Sequence, residues 1–213
     1  MPFKFPKVYP ILDASVIPAT GRDAYLRRIG ESLTDAGVVL LEYRNKLGSE
    51  NELKSDARCL RTTMPSRNVK LILDDRVDLV DELMFDGTHV DAGDLSPKEA
   101  RDLLGSTRII GTFGGSDSLL TGILEEPVDY FAIGPVFPTT TKETAKTPIG
   151  VEGVRLLREE AGTNPVLVAA AGITLETAST VLAAGASSVA VSAAIFRTSD
   201  PATEFRRWMK ELN

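Results

Sequence analysis

One cysteine, Cys59, stands in a chain of 213 residues, so an intramolecular disulfide framework is excluded and no cysteine cluster is available for structural zinc. A reducing cytosol is the expected compartment. Cys59 lies beside Leu60 in a segment of helical spacing, where a packed thiol is expected over a nucleophile. Histidine is as scarce, with His89 the only one. It falls inside the short run GTHVD and not beyond it, which points to a hydrogen-bonded structural role over a general base or metal ligand. Basic residues do not dominate: 24 Lys and Arg against 30 Asp and Glu give a formal charge of −6, which speaks against a nucleic-acid surface or an anionic membrane partner. The first residues, MPFKFPKVYP, contain no apolar h-region, and no run of about eighteen apolar residues occurs. A soluble, cytoplasmic protein is expected, with local basic sites still open.

What the chain does have is an alternation. Short apolar runs at 8–12, 38–41, 69–73, 87–90, 108–112, 130–133, 166–170 and 188–191 are each followed by a segment of helical spacing, the βα rhythm of a parallel sheet. The helices are expected at 22–36, 52–64, 77–84, after the Ser96-Pro97 cap, at 116–124, at 150–160, from the Thr174 cap to residue 184, and through Phe205 and Trp208. Eight units over residues 1–213 predict a single-domain (β/α)₈ TIM barrel. An open doubly wound sheet is the structural alternative, since periodicity does not show closure.

In a barrel the active site lies past the C-terminal ends of the strands. That rule gathers Arg44, Lys46, Asp74, Asp75, Asp94, Thr139, Thr141, Lys142, Gly172 and Ser192 at one mouth. Arg44 and Lys46, two apart on an extended segment, project the same way and suit a polyanion, or else form a solvated pair. Asp75 and Asp94 suit one hard cation such as magnesium, or else cap helices. The stretch DYFAIGPVFPTTTK reads as a strand delivering a rigid loop of hydroxyls closed by Lys142, suited to a phosphate or pyrophosphate, or else as a polar turn. Gly172 and the residues after the eighth strand fall where barrels often bind phosphate through backbone N–H groups.

These residues resemble the thiamine-phosphate synthase family over nearly the whole chain: YPILD, EYRNK, LDDRVDL, DGTHVDAGDL, DYFAIGPVFPTTTK, AAAGIT and GASSVAV, with GPVFPTTTK the most specific. The resemblance implies an enzyme that joins hydroxymethylpyrimidine diphosphate to a thiazole phosphate, forming thiamine monophosphate and pyrophosphate with magnesium. It implies that Arg44, Lys46 and Lys142 hold the pyrophosphate, Asp75 and Asp94 bind Mg²⁺, Thr139 and Thr141 face the thiazole phosphate, and Gly172 binds that phosphate through its backbone. The departures from the family pattern cluster at the mouth. Glu42 stands where glutamine is common, Asp74 where asparagine is common, and Phe113 where serine is usual. Asp91 and Ala92 depart from a G-Q-x-D segment, Ala171-Gly172 from a diglycine, and the serine of the last phosphate loop is Ala193 or has moved to Ser192. Glu42, Asp74, Phe113 and Ala193 are therefore counted with the substrate-binding residues. A thiazole tautomerase-like isomerase and a non-catalytic thiamine-precursor-binding homologue are the alternatives. A homo-oligomer is compatible with the sequence.

Overall fold

The structure is a computed structural model that describes residues 3–91, 93–139 and 146–212. Eight parallel strands close into a barrel in chain order, β8 pairing with β1. They are β1 (Val8–Asp13), β2 (Leu40–Arg44), β3 (Lys70–Asp74), β4 (Gly87–Val90), β5 (Ile109–Gly115), β6 (Tyr130–Ile133), β7 (Leu167–Ala170) and β8 (Ser188–Val191). The helices described are α1 (Arg22–Asp35), α2 (Glu50–Thr63), α3 (Pro97–Leu104), α4 (Gly150–Ala161), α5 (Leu175–Ala183), α6 (Ala193–Phe196) and α7 (Pro201–Leu212). The (β/α)₈ barrel expected from the alternation is thus the fold. Among the described residues no helix is long and apolar enough to cross a membrane.

Local chemistry explains most of the boundaries. α1 buries Leu26, Ile29 and Leu33, three positions on one helical stripe. Ser96 and Glu99 form a reciprocal capping box that starts α3, with Pro97 in its first turn. Trp208 of α7 is fully buried and donates its Nε1–H to Glu204.

Four expected elements differ; the fifth strand, expected to end at 112, runs on to Gly115. The second strand runs from Leu40 to Arg44 instead of ending at 41, because its polar residues pair in register with β1, Ile11 opposite Glu42 and Asp13 opposite Arg44. The helix expected at 116–124 does not form. Ser116 bonds Asp117, Leu119 bridges back to Gly115, and Gly122 takes a φ of 73° before a single 3-10 turn at Ile123–Glu125. Short polar side chains and a left-handed glycine compete with the helix there. The helix expected at 77–84 shrinks to a 3-10 turn at Val77–Leu79, and Met84 already has a positive φ.

Apolar side chains fill two zones. One lies between sheet and helices; the other fills the barrel itself with Tyr9, Leu40, Ile72, Ile109, Tyr130, Val168 and Ala190. Gly111 makes room for this inner layer, since a Cβ there would meet the Tyr130 ring at 1.9 Å. The interior is a packed floor, and the polar strand ends sit above it.

Candidate active site

Strand alternation sends Glu42 and Arg44 into the barrel and Tyr43 outward. At the strand end the Arg44 guanidinium pairs with Asp13 of β1, and its Nε lies 3.4 Å from Asp74 Oδ2. Lys46 Nζ lies 3.3 Å from the same Asp74 oxygen and also pairs with Asp75. The two cations of the R-x-K pair therefore converge on one point. Burial pulls the Lys46 ammonium down, but the charges of Asp74 and Asp75 and their hydrogen bonds hold it above its ordinary value. Asp13 was not among the expected residues. Burial raises its carboxyl, yet hydrogen bonds from Ser15 and Arg44 hold it below the usual range.

The acids meet on the same side. Asp75 follows β3 with a φ of 65°, its backbone N–H donating to the His89 carbonyl at 2.8 Å. Burial, the neighbouring charge of Asp74 and a hydrogen bond with Asp94 push Asp75 up to about 6, against the pull of Lys46. Asp94 also accepts from the Asp91 N–H at 2.9 Å. Asp75 Oδ1 is buried without a hydrogen-bond partner among the described residues. An unpartnered carboxylate oxygen beside a second carboxylate is a donor set for a hard cation. No group of three or more His, Cys, Asp or Glu suited to a metal occurs among the described residues.

Below the mouth a buried chain of polar groups crosses the barrel. Tyr9 donates to Glu42 Oε2 at 2.9 Å, Tyr9 and Tyr130 hydroxyls lie 3.1 Å apart, and His89 Nδ1 lies 3.0 Å from the Tyr130 hydroxyl. His89 Nε2 is 3.6 Å from Asp91 Oδ1. His89 is thus a buried, hydrogen-bonded residue of β4, as its place in GTHVD indicates. Burial, with the charges of Asp74 and Asp91, pushes Glu42 up to about 7, although His89 and Tyr9 pull it down. Burial lowers His89, but Asp91 and Glu42 outweigh it and raise the imidazole above its ordinary value. The tyrosines were missed because each reads as an ordinary apolar strand residue; only their hydroxyls, opposed across the barrel, carry the signal.

On the opposite side, the segment leaving β6 runs along the end of β7. The Val136 N–H donates to Ala170 and the Phe137 N–H to Ala171. A Cβ on Gly172 would meet the Pro138 carbonyl at 2.5 Å, so glycine permits this approach, and its φ of 66° favours glycine as well. Thr139 follows this contact and is half-buried. Ser192 stands at the N-cap position of α6, which begins at Ala193, but makes no side-chain cap bond, and its Oγ is buried with no hydrogen-bond partner among the described residues. Phe113, at the end of β5, carries the Lys146 ammonium 3.4 Å from its ring centroid, a cation–π contact in place of a polar one. Thr141 and Lys142 lie outside the described residues.

Ala171 has a φ of 76°, where a Cβ costs about 1–2 kcal/mol. Ala171→Gly is expected to stabilise the fold by about 1 kcal/mol in urea denaturation, somewhat offset by the glycine's unfolded-state entropy. Equal or lower stability of the variant would show that this strain is absent.

Comparison with known proteins adds a family. A family model described as thiamine monophosphate synthase matches residues 8–195. The thiamine-phosphate synthase of Koribacter versatilis is 40% identical over 190 residues, 89% of each chain. That of Agrobacterium fabrum is 38% identical over 170 residues, 78% of this chain and 77% of the relative. Among solved structures, a thiamine phosphate pyrophosphorylase from Pyrococcus furiosus superposes with a TM-score of 0.76 at 26% identity, covering 97% of this chain and 95% of the other.

Proposed function

Because the chain belongs to the thiamine monophosphate synthase family and is a transferase of thiamine biosynthesis, we propose that its mouth binds hydroxymethylpyrimidine diphosphate with magnesium and a thiazole phosphate beside it, and releases pyrophosphate as thiamine monophosphate forms. One observation carries the site assignment: Arg44 Nε and Lys46 Nζ converge on a single oxygen, Asp74 Oδ2, at 3.4 and 3.3 Å. A diphosphate oxygen that displaces that carboxylate oxygen meets both cations at once.

The chemistry follows from where charge develops. The pyrimidine carbon–oxygen bond breaks, its electron pair leaves with the pyrophosphate, and the thiazole nitrogen supplies the pair for the new carbon–nitrogen bond. No proton need be removed from that nitrogen, so no general base is required. Cations aimed at the departing oxygens favour the transition state, in which those oxygens gain charge. Arg44 and Lys46 fill that role, and Lys142 joins them in this reading. Asp13, Asp74 and Asp75 gather around Arg44 and Lys46, and Asp94 lies beside Asp75. Asp75 and Asp94 would hold magnesium, which when bound neutralises the diphosphate and acts as a Lewis acid toward it. The buried, unpartnered Asp75 Oδ1 supports this fit.

The thiazole phosphate falls to the other side of the mouth, to Thr139 and Thr141, the backbone at Gly172, and Ser192 with Ala193. Phe113, with the Lys146 ammonium over its ring, lies at the end of β5 between the two sides, and Glu42 lies beneath in the polar chain with Tyr9. The comparisons lend no support to the isomerase or to the non-catalytic reading. The single, buried Cys59 fits a cytoplasmic enzyme.

The test is thiamine monophosphate formation by the purified protein from both precursors with magnesium, omitting each component in turn. The product is expected only when all three are present. Thiazole phosphate bound without any turnover would overturn the reading.

A further inference from the structure

Outside the mouth, on the opposite face of β2, five side chains close a ring. The Arg22 guanidinium, at the start of α1, grips Asp56 with Nε 2.9 Å from Oδ1 and Nη2 2.6 Å from Oδ2. Tyr43 donates its hydroxyl to the same Asp56 Oδ2 at 2.5 Å. Asn45 donates from Nδ2 to the Tyr43 hydroxyl and to Glu52 Oε1, each at 3.1 Å. Glu52 Oε1 lies 3.2 Å from Arg22 Nη2, which completes the circuit.

The circuit also reaches the loop. Asn45 Oδ1 accepts the Gly48 N–H at 2.7 Å, and a Cβ on Gly48 would fall within 2.7 Å of both Asn45 and Glu52 side chains. Asp56 is 1% exposed and Tyr43 fully buried. Burying such a set gains little stability over an apolar packing of similar volume. What it does define is orientation. Asn45 sits between Arg44, the last residue of β2, and Lys46, where the chain bends; with Asn45 held outward, both neighbours reach Asp74 Oδ2 in the mouth.

We propose that the Arg22–Asp56–Tyr43–Asn45–Glu52 ring is a positioning device: it clamps Asn45 on the outer face of the barrel and so aims Arg44 and Lys46 at one diphosphate oxygen. Asn45 and Tyr43 are positioning residues that never touch the substrate. The inference rests on the reading of the mouth as a diphosphate site, and its test separates the two.

The variants are Asn45→Ala, which cuts the ring and the Gly48 tether, and Asn45→Asp, which keeps the acceptor for Gly48 but loses both donated bonds. ¹⁵N relaxation in the ligand-free protein reads the order of the Arg44 Nε–H and of the Lys46 and Gly48 amides. Calorimetry then reads binding of magnesium pyrophosphate and, separately, of thiazole phosphate. In Asn45→Ala, order is expected to fall at these groups alone and magnesium pyrophosphate to bind about 10-fold more weakly, with thiazole phosphate unchanged. Asn45→Asp is expected to recover order at Gly48 and not at Arg44. Unchanged order at Arg44 and Lys46 overturns the inference whether or not the wild type binds pyrophosphate. Lost order with undiminished pyrophosphate affinity overturns it too. A wild type that binds no pyrophosphate at all overturns the diphosphate reading, and the relaxation data still decide whether the ring positions the two cations.

Discussion

Asp75→Asn is expected to lower kcat/KM with the diphosphate substrate at least about 100-fold, because it removes a charged ligand from the proposed magnesium site. Asparagine is the informative replacement. Asp75 has a φ of 65°, and asparagine tolerates the left-handed region better than alanine does. The loss should be confined to the diphosphate: thiazole phosphate, proposed to bind on the β6–β7 side, should bind as before. Folding stability should hold or rise, since burial and Asp74 raise the Asp75 carboxyl to about 6 and the amide removes that repulsion. A variant that loses both substrates equally would place Asp75 in the fold and not in the diphosphate site. Steady-state kinetics, thiazole phosphate titration and urea denaturation on one preparation separate these outcomes.

Glu42→Gln should change how the protein responds to pH. The Glu42 carboxyl is raised to about 7 in the fold, far above its value in an unfolded chain. The folded state therefore holds a proton that the unfolded state releases. The stability linked to that proton is fully present below about pH 4.5 and is lost as pH rises through about 7. Asp75 and His89 are also raised, so they add to the decline in the same direction. At pH 8 the amide should restore up to about 3 kcal/mol, because it carries no charge and its oxygen still accepts from Tyr9. Below pH 5 the two proteins should be nearly equally stable. Thermal melts from pH 5 to pH 8 test this, and parallel curves for wild type and variant would show that Glu42 does not titrate there. The functional consequence has the same sign, since an ionised Glu42 repels a diphosphate from the mouth.

The sequence carried the architecture because each strand is a short apolar run and each main helix has its stripe or cap, as in Leu26, Ile29 and Leu33 or Ser96 and Glu99. It misplaced the segments after β3 and β5, where apolar spacing was present; after β5 Gly122 and short polar side chains turned the chain instead, and after β3 the helix is a single 3-10 turn with Met84 at a positive φ. The mouth was legible as a set of strand ends: Arg44, Lys46, Asp74, Asp75 and Asp94 do gather there. Their pairing was not. That Asp13 holds Arg44, that Tyr9 and Tyr130 carry Glu42 across to His89, and that Asn45 turns outward into a ring all depend on distances between strands remote in the chain. Phe113 shows the same limit, since the loss of a serine is visible in the sequence but the Lys146 ammonium over its ring is not.

The carboxylates gathered around Arg44 and Lys46 make metal dependence the most direct measure of the account. Inorganic pyrophosphate should be titrated into the wild-type protein by calorimetry with magnesium and again with a chelator. The account predicts binding with magnesium and a loss of at least about 100-fold without it, as Asp75 and Asp94 would then meet the polyanion with no cation between them. Equal affinity in both titrations would contradict it.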